Sequence, residues 1–251
     1  MKNPSQGYVY IVKGEKFIKE AENSARSLKG ADHNAHITVI SYIDFESDVI
    51  DTVEIREPSF KSDKWRQSLL YKVENLSMFP YDRTFYVDAD TYFVEDCSEL
   101  FSLLEYYDIC MAHSPNDDEV PVIEGERLEG YYPYNTGVFL YRNSKANRRL
   151  FSRWRNIFAD NIDTYTTDQV ALMEALLTSE SKVYVLQNIY NARTPLYLGL
   201  MKKHVKLVHG RHKDMMSVVN VINEAAENRA WDPSSKKVLY QKGMNIVGGK
   251  N

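Results

Sequence analysis

The sequence contains little cysteine. Its two cysteines, Cys97 and Cys110, lie apart, and neither belongs to a Cys-x-x-Cys pattern. A disulfide-rich secreted scaffold and a cysteine-based zinc site both need several cysteines at set spacings, so this composition excludes them. We expect two reduced, partly buried thiols in a cytoplasmic protein.

Long apolar runs and an excess of positive charge are also missing. No stretch approaches the roughly 18 apolar residues that a membrane-spanning helix needs, and the start MKNPSQGYVYIV lacks the basic region and cleavage site of a secretory signal. With 31 lysines and arginines against 35 aspartates and glutamates, the net charge is −4. We therefore expect no membrane span, no nucleic-acid partner and a cytoplasmic location.

The composition is that of a globular protein, with 43% hydrophobic and 26% charged residues. This supplies enough apolar side chains for a sizeable core. No internal repeat, low-complexity stretch or linker rich in proline, glycine or serine divides the chain. A length of 251 residues exceeds a typical domain and is too short for two full-sized ones, so we predict one large domain.

Short apolar strands alternate with amphipathic helices along the chain, which predicts an α/β fold. Runs rich in β-branched residues predict strands, whereas apolar residues recurring every three or four positions predict helices. The residues from 231 onward predict a tail or a short terminal strand. The predicted strands lie at 8–12, 36–42, 84–87, 109–112, 136–141, 183–186 and 205–208, and the predicted helices at 14–30, 62–76, 145–159, 168–177 and 215–228.

Two aspartates, Asp88 and Asp90, follow the predicted strand 84–87. Open α/β sheets bind ligands at such strand ends, and a spacing of two places both side chains on one face. Two adjacent carboxylates repel each other unless a cation lies between them. Mn²⁺ or Mg²⁺ accepts oxygen ligands and keeps positions open for phosphate oxygens, so we predict a metal site. The alternative is an Asp-x-Asp triplet that only caps or turns the chain.

The aspartate pair lies within SLLYKVENLSMFPYDRTFYVDADTYF, at 68–93. Three further segments follow in order: YNTGVFLYRNS at 134–144, TDQVAL at 167–172 and KLVHGRHK at 206–213. Together, these segments resemble the GT-A type nucleotide-sugar glycosyltransferases, particularly the glycogenin-like retaining family, over residues 7–213. The resemblance implies a single-domain, Rossmann-like GT-A fold with a mixed, mostly parallel sheet flanked by helices. It also implies a catalytic domain over 1–213, with a C-terminal helix and tail over 214–251.

The same resemblance assigns the metal ligands. Asp88 and Asp90 correspond to the pair that bridges Mn²⁺ or Mg²⁺ to the donor diphosphate, and His209 corresponds to the third ligand. A neutral imidazole can complete such a site. Here Gly210 follows His209 directly, whereas the family separates this pair by two residues, so His212 is a competing ligand. The alternative for His209 is a strand-end histidine that bonds only to backbone.

Further residues are implied to contact the donor. Lys72 lies sixteen residues before Asp88, where this family carries a donor-binding lysine, and its alternative is a lysine on a solvated helix face. Gly210 would let backbone approach phosphate, and Lys213 would neutralise the leaving diphosphate. The first loop would lie under the base and ribose. The implied donor-binding set is Val12, Gly14, Lys72, Asp88, Ala89, Asp90, Thr136, Gly137, Gly210 and Lys213.

Three residues are implied to contact the transferred sugar as catalytic groups. Asn135 precedes a small residue and a glycine, where an amide would contact the sugar; a structural turn is the alternative. Asp168 and Gln169 resemble the pair beneath the anomeric carbon. Asp168 is also a candidate N-cap of the helix that follows it, and the two roles are compatible.

The long polar loop from 113 to 134 leads into the predicted sugar site. Compact domains rarely keep so long a loop without a function. We predict a mobile flap whose tyrosines, Tyr131, Tyr132 and Tyr134, stack on acceptor sugars. The alternative is a surface loop with its tyrosines packed on the core.

The resemblance implies a metal-dependent transfer of a sugar from a nucleoside diphosphate to an acceptor hydroxyl on a carbohydrate, with retention. A UDP-sugar is the favoured donor and a GDP-sugar the alternative. Retention by a front-face route and by a covalent intermediate on Asp168 both stay open. So does inversion, with Asp168 or an acid in 117–129 as general base. The competing classes are a sugar-1-phosphate nucleotidyltransferase, which would begin with a Gly-rich loop bearing Arg and Lys, and a non-catalytic carbohydrate-binding protein of the same fold.

Overall fold

The computed structural model describes residues 4–59, 65–114, 120–123, 126–128, 130–200 and 202–240. The strands are β1 (Gln6–Val12), β2 (Ile37–Ser41), β3 (Thr52–Ile55), β4 (Arg83–Val87), β5 (Thr91–Phe93), β6 (Ile109–His113), β7 (Val122–Ile123), β8 (Glu126–Arg127), β9 (Tyr134–Arg142), β10 (Val183–Leu186), β11 (Ala192–Arg193), β12 (Leu198–Leu200), β13 (Leu207–His209), β14 (Arg229–Asp232) and β15 (Lys237–Tyr240). The α-helices are α1 (Glu15–Ala31), α2 (Trp65–Leu76), α3 (Lys145–Asp160), α4 (Gln169–Leu177) and α5 (Met215–Ile222), and 3₁₀ helices cover Ser98–Glu105 and Asn188–Tyr190.

A seven-stranded sheet forms the centre of the fold, with the strand order β10-β6-β9-β4-β1-β2-β3. All of its strands are parallel to one another except β9, which runs antiparallel to its neighbours β4 and β6. Helices pack on both faces. The predicted α/β fold, with a mixed, mostly parallel sheet flanked by helices, is therefore confirmed.

The apolar core lies in two layers, one on each face of this sheet. Successive side chains of a strand point to opposite faces. In β4, Phe85 packs with α1 and the 3₁₀ helix after β5, whereas Tyr86 packs with α2, α3 and α4. In β9, Leu140 packs in the same layer as Phe85, and Phe139 packs in the same layer as Tyr86. Since both faces are covered, these strands are apolar at consecutive positions, and they appear in the sequence as short continuous runs.

Two pairings bring distant segments to the end of β4. Because β9 is reversed, its first residues lie beside the last residues of β4, and the Asp88 amide donates to the Gly137 carbonyl at 2.7 Å. In a small three-stranded sheet, β13 lies between β11 and β5 and places His209 opposite Thr91. Since Thr91 directly follows Asp90, this pairing brings His209 next to the aspartate pair.

The C-terminal part differs from the prediction in one helix. A helix is predicted over 215–228, but α5 ends at Ile222. Two contacts account for this end: the Asn223 side chain pairs with the Val205 backbone, and the Arg229 guanidinium donates to the Ile222 carbonyl at 2.7 Å. The chain then forms β14 and the predicted terminal strand, β15, while residues 241–251 lie outside the described part.

Residues on the two sides of position 213 share a small sheet, because β12 pairs in antiparallel register with β14. The division of the chain into 1–213 and 214–251 stays a prediction.

Both cysteines are buried and free, and burial raises the pKa of the Cys110 thiol to about 12.

Asp108 joins three strands of the central sheet from a buried position at the start of β6. Its carboxylate accepts from Arg142 Nε at the end of β9 and from the Lys182 amide directly before β10, both at 2.9 Å. Burial raises the pKa of Asp108, but hydrogen bonds from Lys182, Arg142 and Ser144 outweigh it, so the pKa lies below its ordinary value. A carboxyl whose pKa is lower in the folded state stabilises the fold above its unfolded pKa and loses that contribution as pH falls.

We expect Asp108→Asn to lower the free energy of unfolding by about 1–3 kcal/mol at pH 7, because an amide cannot accept from both donors. The loss should shrink as pH falls below about 4, because the carboxyl of the unfolded chain then becomes protonated before that of the folded protein. Urea unfolding at pH 7 and pH 3.5 measures this. Asp48→Asn, which removes an exposed partner of Arg26, is the control and should change stability far less. An equal loss in the two variants would contradict the assignment.

Candidate functional site

A cavity of about 350 Å³ opens at the carboxyl ends of β1 and β4. Gly14, Gly210 and Lys213 are not among the residues that line it, and neither is His212. Of the residues singled out from the sequence, those that do line it are Val12, Lys72, Asp88, Ala89, Asp90, Asn135, Thr136, Gly137, Asp168, Gln169 and His209.

Asp88, Asp90 and His209 form a cluster, here called the acidic triad, whose potential ligand atoms lie within 4.8 Å of one another. His209 Nε2 is 3.5 Å from Asp90 Oδ1 and 3.8 Å from Asp88 Oδ2. The Tyr86 hydroxyl donates to the other Asp88 oxygen at 2.5 Å. Burial raises the pKa of Tyr86 well above its ordinary value, so this hydroxyl stays protonated and keeps donating.

The protonation of His209 follows from its neighbours. Its Nδ1 lies 2.8 Å from the Asn191 carboxamide oxygen, which only accepts, so Nδ1 carries the proton. Its Nε2 lies 2.8 Å from Arg193 NH1, which only donates, so Nε2 offers its lone pair. Burial lowers the pKa of His209, and the Arg193 charge lowers it further. A neutral imidazole fixed in this tautomer is suited to metal ligation.

Gly137 leaves the space in which the triad assembles. A Cβ at this position would meet His209 Cε1, and it would lie 2.6 Å from Asp88 Oδ2 and 2.8 Å from His209 Nε2. Any side chain would therefore displace two of the three groups. Two carboxylates and a neutral imidazole are the donors that Mn²⁺ accepts, and the carboxylates suit Mg²⁺. The residues present thus fit such an ion.

Lys72 and Asp168 form a buried ion pair beside the triad, with Lys72 Nζ 2.9 Å from Asp168 Oδ2 and 3.8 Å from Asp88 Oδ1. Burial lowers the pKa of Lys72, but the Asp168 and Asp88 carboxylates outweigh it and hold the pKa above its ordinary value. The Thr136 hydroxyl donates to the second Asp168 oxygen at 3.1 Å. Lys72 is thus charged and inside the cavity, not on a solvated helix face.

Asp168 directly precedes α4, yet its side chain makes no capping hydrogen bond there. It occupies the N-cap position and directs its carboxylate to Lys72 and Thr136 instead. Asn135 and Gln169 are also joined, because Asn135 Nδ2 donates to Gln169 Oε1 at 2.8 Å. Asn135 Oδ1 in turn accepts from Asn191 at 2.9 Å, which connects the predicted sugar side to the partner of His209.

The residues of the site that were not found from the sequence include Asn191, Arg193 and Arg211. Asn191 directly precedes the two-residue strand β11 and Arg193 ends it, and so short a strand shows no periodicity. Arg211 lies between His209 and Lys213 within KLVHGRHK, and its position between two predicted site residues could have indicated that it belongs to the site. Its guanidinium is 3.7 Å from Asp90 Oδ2 and pairs with Glu20 at 3.0 Å. Arg211 lines the cavity and Lys213 does not, and the donor-binding role of Lys213 stays a prediction.

Gly210 turns the chain after β13. It has φ +137°, and a Cβ there would lie 2.6 Å from Pro195 Cδ, so both its conformation and its surroundings require glycine. Its amide donates to the Asp90 carbonyl at 2.8 Å. Gly14 has φ +109° immediately before α1, with no atom within 4 Å of a Cβ built there. Its conformation, and not close packing, therefore favours glycine.

The predicted flap is described only in part, since residues 115–119, 124–125 and 129 lie outside the described residues. Tyr131 and Tyr134 pack against the core layer of α2, α3 and α4, as the alternative expects. Tyr132 is exposed, and the His113 ring stacks on Tyr134 with centroids 4.8 Å apart. Stacking of these tyrosines on an acceptor stays a prediction.

The sequence profile of nucleotide-diphospho-sugar transferases matches residues 82–220, which is more than half of the chain and includes the whole acidic triad. The chain belongs to this family. Membership of the nucleotide-diphospho-sugar transferases makes it a glycosyltransferase and disfavours the nucleotidyltransferase interpretation. No curated protein sequence matches the chain.

Solved structures of glycosyltransferases share the fold of this family member. The galactosyltransferase LgtC, in complex with donor and acceptor sugar analogues, superposes with a TM-score of 0.58 at 13% identity, covering 88% of this chain and 95% of that one. Mouse xyloside xylosyltransferase 1 gives a TM-score of 0.52 at 14% identity, covering 82% and 97%.

GlyE of Streptococcus pneumoniae TIGR4 gives a TM-score of 0.57 at 14% identity, with 84% of this chain covered. The chain spans only 56% of the length of GlyE. At such identities the similarity establishes the GT-A fold alone. In the described part of the chain, none of the helices combines the length and apolar composition that crossing a membrane requires.

Proposed function

We propose that this protein is a metal-dependent glycosyltransferase that moves a sugar from a nucleoside diphosphate to a carbohydrate hydroxyl, with retention of anomeric configuration. One observation carries the proposal: the acidic triad opens on the same cavity as the Lys72–Asp168 pair. The triad supplies ligands for Mn²⁺ or Mg²⁺, and the adjacent cations supply charge for a diphosphate. When bound, the ion stabilises the negative charge that develops on the departing diphosphate.

Different residues of the chain bind the diphosphate and orient the sugar. Arg211, held by Glu20 at 3.0 Å, presents a fixed guanidinium to the diphosphate. Asn135 and Gln169, bonded to each other, both line the cavity and orient the sugar there. Preorganised charges and donors of this kind supply the largest contribution in many transfer reactions.

The surroundings of Asp168 support the front-face route to retention, in which the leaving phosphate accepts the proton of the acceptor hydroxyl. Both carboxylate oxygens of Asp168 are engaged, one by Lys72 and one by Thr136. Both contacts stabilise the negative charge of the carboxylate and so make it a weaker nucleophile. We therefore assign Asp168 an orienting and electrostatic role in place of a covalent one.

The donor is proposed to be a UDP-sugar, with a GDP-sugar as the alternative, and Val12 to lie under its base and ribose. The order of the aspartate pair, the NTG turn, the Asp-Gln pair and the HGRHK segment supports a place near the glycogenin-like branch. A cytoplasmic location also remains part of the proposal.

We expect UDP with Mn²⁺ to raise the melting temperature, whereas UDP with EDTA and Mn²⁺ alone should raise it far less. A ligand at 100 times its Kd adds about 2.7 kcal/mol to stability. Differential scanning fluorimetry with UDP, GDP and AMP as a control nucleotide measures this. The absence of a metal-dependent shift with both UDP and GDP would overturn the proposal.

The chemistry is tested by a panel of UDP- and GDP-sugars incubated without acceptor. Slow, Mn²⁺-dependent hydrolysis of one of them identifies the sugar. NMR of the transfer product then reports its anomeric configuration, and an inverted product would contradict retention without affecting the donor assignment.

A further inference from the structure

Arg193 contacts the acidic triad at His209 Nε2, the atom that would ligate a metal ion. In β11 it lies directly opposite His209 of β13, so backbone pairing fixes the two residues side by side. Its NH1 is 2.8 Å from His209 Nε2. Its Nε is buried and, within the described residues, has no hydrogen-bond partner. The guanidinium therefore lies in the cavity with donor capacity left over.

Arg193 and a metal ion exclude each other at His209. An imidazole nitrogen has one lone pair, and Nδ1 is already committed as a donor to Asn191 at 2.8 Å. Nε2 either accepts from Arg193 or ligates a cation. A divalent ion among these three ligands would also repel the guanidinium, since both are positively charged.

The charges of the cavity balance only in certain states. Among the described residues, the cavity holds four carboxylates and four cations, which balance: Asp88, Asp90, Asp168 and the Arg211 partner Glu20 on one side, and Lys13, Lys72, Arg193 and Arg211 on the other. A divalent ion alone therefore leaves an excess of two positive charges in a partly buried site, which is unfavourable. The diphosphate of a nucleotide-sugar carries two negative charges and restores the balance. A guanidinium also matches phosphate oxygens with paired N–H donors.

We propose that Arg193 is a movable counter-charge that bonds to His209 Nε2 when donor is absent and to the donor diphosphate when the ion enters. The inference rests on the proposed function, because it needs a diphosphate at this site. Because of Arg193, bound metal raises the affinity for the nucleotide, and bound nucleotide raises the affinity for the metal. It competes with the ion alone and contributes to the complex of ion and nucleotide.

Arg193→Met removes the guanidinium and keeps an unbranched side chain. We expect Mn²⁺ alone to bind this variant about tenfold more tightly, because Nε2 is freed. We expect UDP in saturating Mn²⁺ to bind about tenfold more weakly. The factor by which UDP strengthens Mn²⁺ binding should fall at least about tenfold, within the range of measured coupling between sites. Titration of free Mn²⁺ by electron paramagnetic resonance, with and without UDP, measures each quantity.

Arg211→Met is the matched control. It removes the same charge from the same cavity, but Arg211 contacts Asp90 and Glu20 and not His209. Its affinity for Mn²⁺ alone should change by less than about threefold, because solvent and salt screen the Arg211 charge in this partly solvated site. Merely loosened packing around position 193 would weaken Mn²⁺ binding, so tighter binding is a result that a structural role would not produce.

Unchanged or weaker binding of Mn²⁺ alone to Arg193→Met would overturn the proposal, and so would an unchanged coupling to UDP. If UDP binds neither protein at any Mn²⁺ concentration, the proposed function fails, and the diphosphate half of the inference fails with it. The titration with Mn²⁺ alone still decides whether Arg193 competes with the ion.

Discussion

Asp90→Asn should lower kcat/KM for sugar transfer by more than about 100-fold, because losing a residue that only orients a metal ligand already costs 10–100-fold. The substitution keeps the shape of the side chain and removes the charge that faces His209 at 3.5 Å and Arg211 at 3.7 Å. Steady-state kinetics across a Mn²⁺ series measures the effect. The Mn²⁺-dependent shift in melting temperature with UDP should disappear in the same variant.

Asp96→Asn is the control for this prediction. Asp96 lies on the same stretch of chain but is exposed, and its carboxylate accepts from the Ser98 amide at 2.7 Å, away from the cavity. Its rate and its metal response should match those of the wild type. If Asp90→Asn retains wild-type activity at moderate Mn²⁺, the aspartate pair is not the metal site.

Lys72→Met should cost about 3–5 kcal/mol of stability, as expected when one partner of a buried ion pair is removed. Burial raises the pKa of Asp168 even with Lys72 beside it, so removing Lys72 leaves the desolvation of this carboxylate still less offset. Urea unfolding at pH 7 measures the loss. Lys29→Met removes a half-exposed pair with Asp51 and should cost less than about 1 kcal/mol.

The double variant Lys72→Met with Asp168→Asn separates charge from packing. The carboxamide that replaces the Asp168 carboxylate would still accept from the Thr136 hydroxyl, but it would no longer be a buried charge. We expect this variant to recover most of the lost stability while staying inactive. A double variant no more stable than Lys72→Met would mean that the methylene packing of Lys72, and not its charge, holds this part of the fold.

The centre of the fold and the aspartate pair follow from elementary sequence patterns. The strands β1, β4 and β9 are covered on both faces, which produces the continuous apolar runs that mark them in the sequence. A carboxylate pair directly after such a strand has to lie at the edge where parallel sheets bind ligands. His209 and Asp168 are different, because only the resemblance to a family indicated that they approach this edge.

Other site residues could not be predicted from the sequence, for structural reasons. Arg193 lies on a two-residue strand, fixed by its pairing with β13 rather than by any local preference. The role of Lys213 at the diphosphate stays a prediction: Lys213 does not line the cavity, whereas Arg211, which follows the turn at Gly210 with φ +137°, does. The overlong helix prediction at 215–228 failed because side-chain contacts from Asn223 and Arg229 end α5, and such contacts leave no periodic signal.

The reversed direction of β9 has a consequence for how this enzyme can diversify. Since β6 and β9 are adjacent and antiparallel, with His113 opposite Tyr134, the connection between them leaves and re-enters the sheet at neighbouring points. A connection with fixed, adjacent ends can gain or lose residues at a small entropic cost. The residues after it, Asn135 to Gly137, are held beside the end of β4 and stay in place. Under the acceptor-binding role predicted for this connection, grafting a different one would change which acceptor binds and leave Asn135 to Gly137 in place.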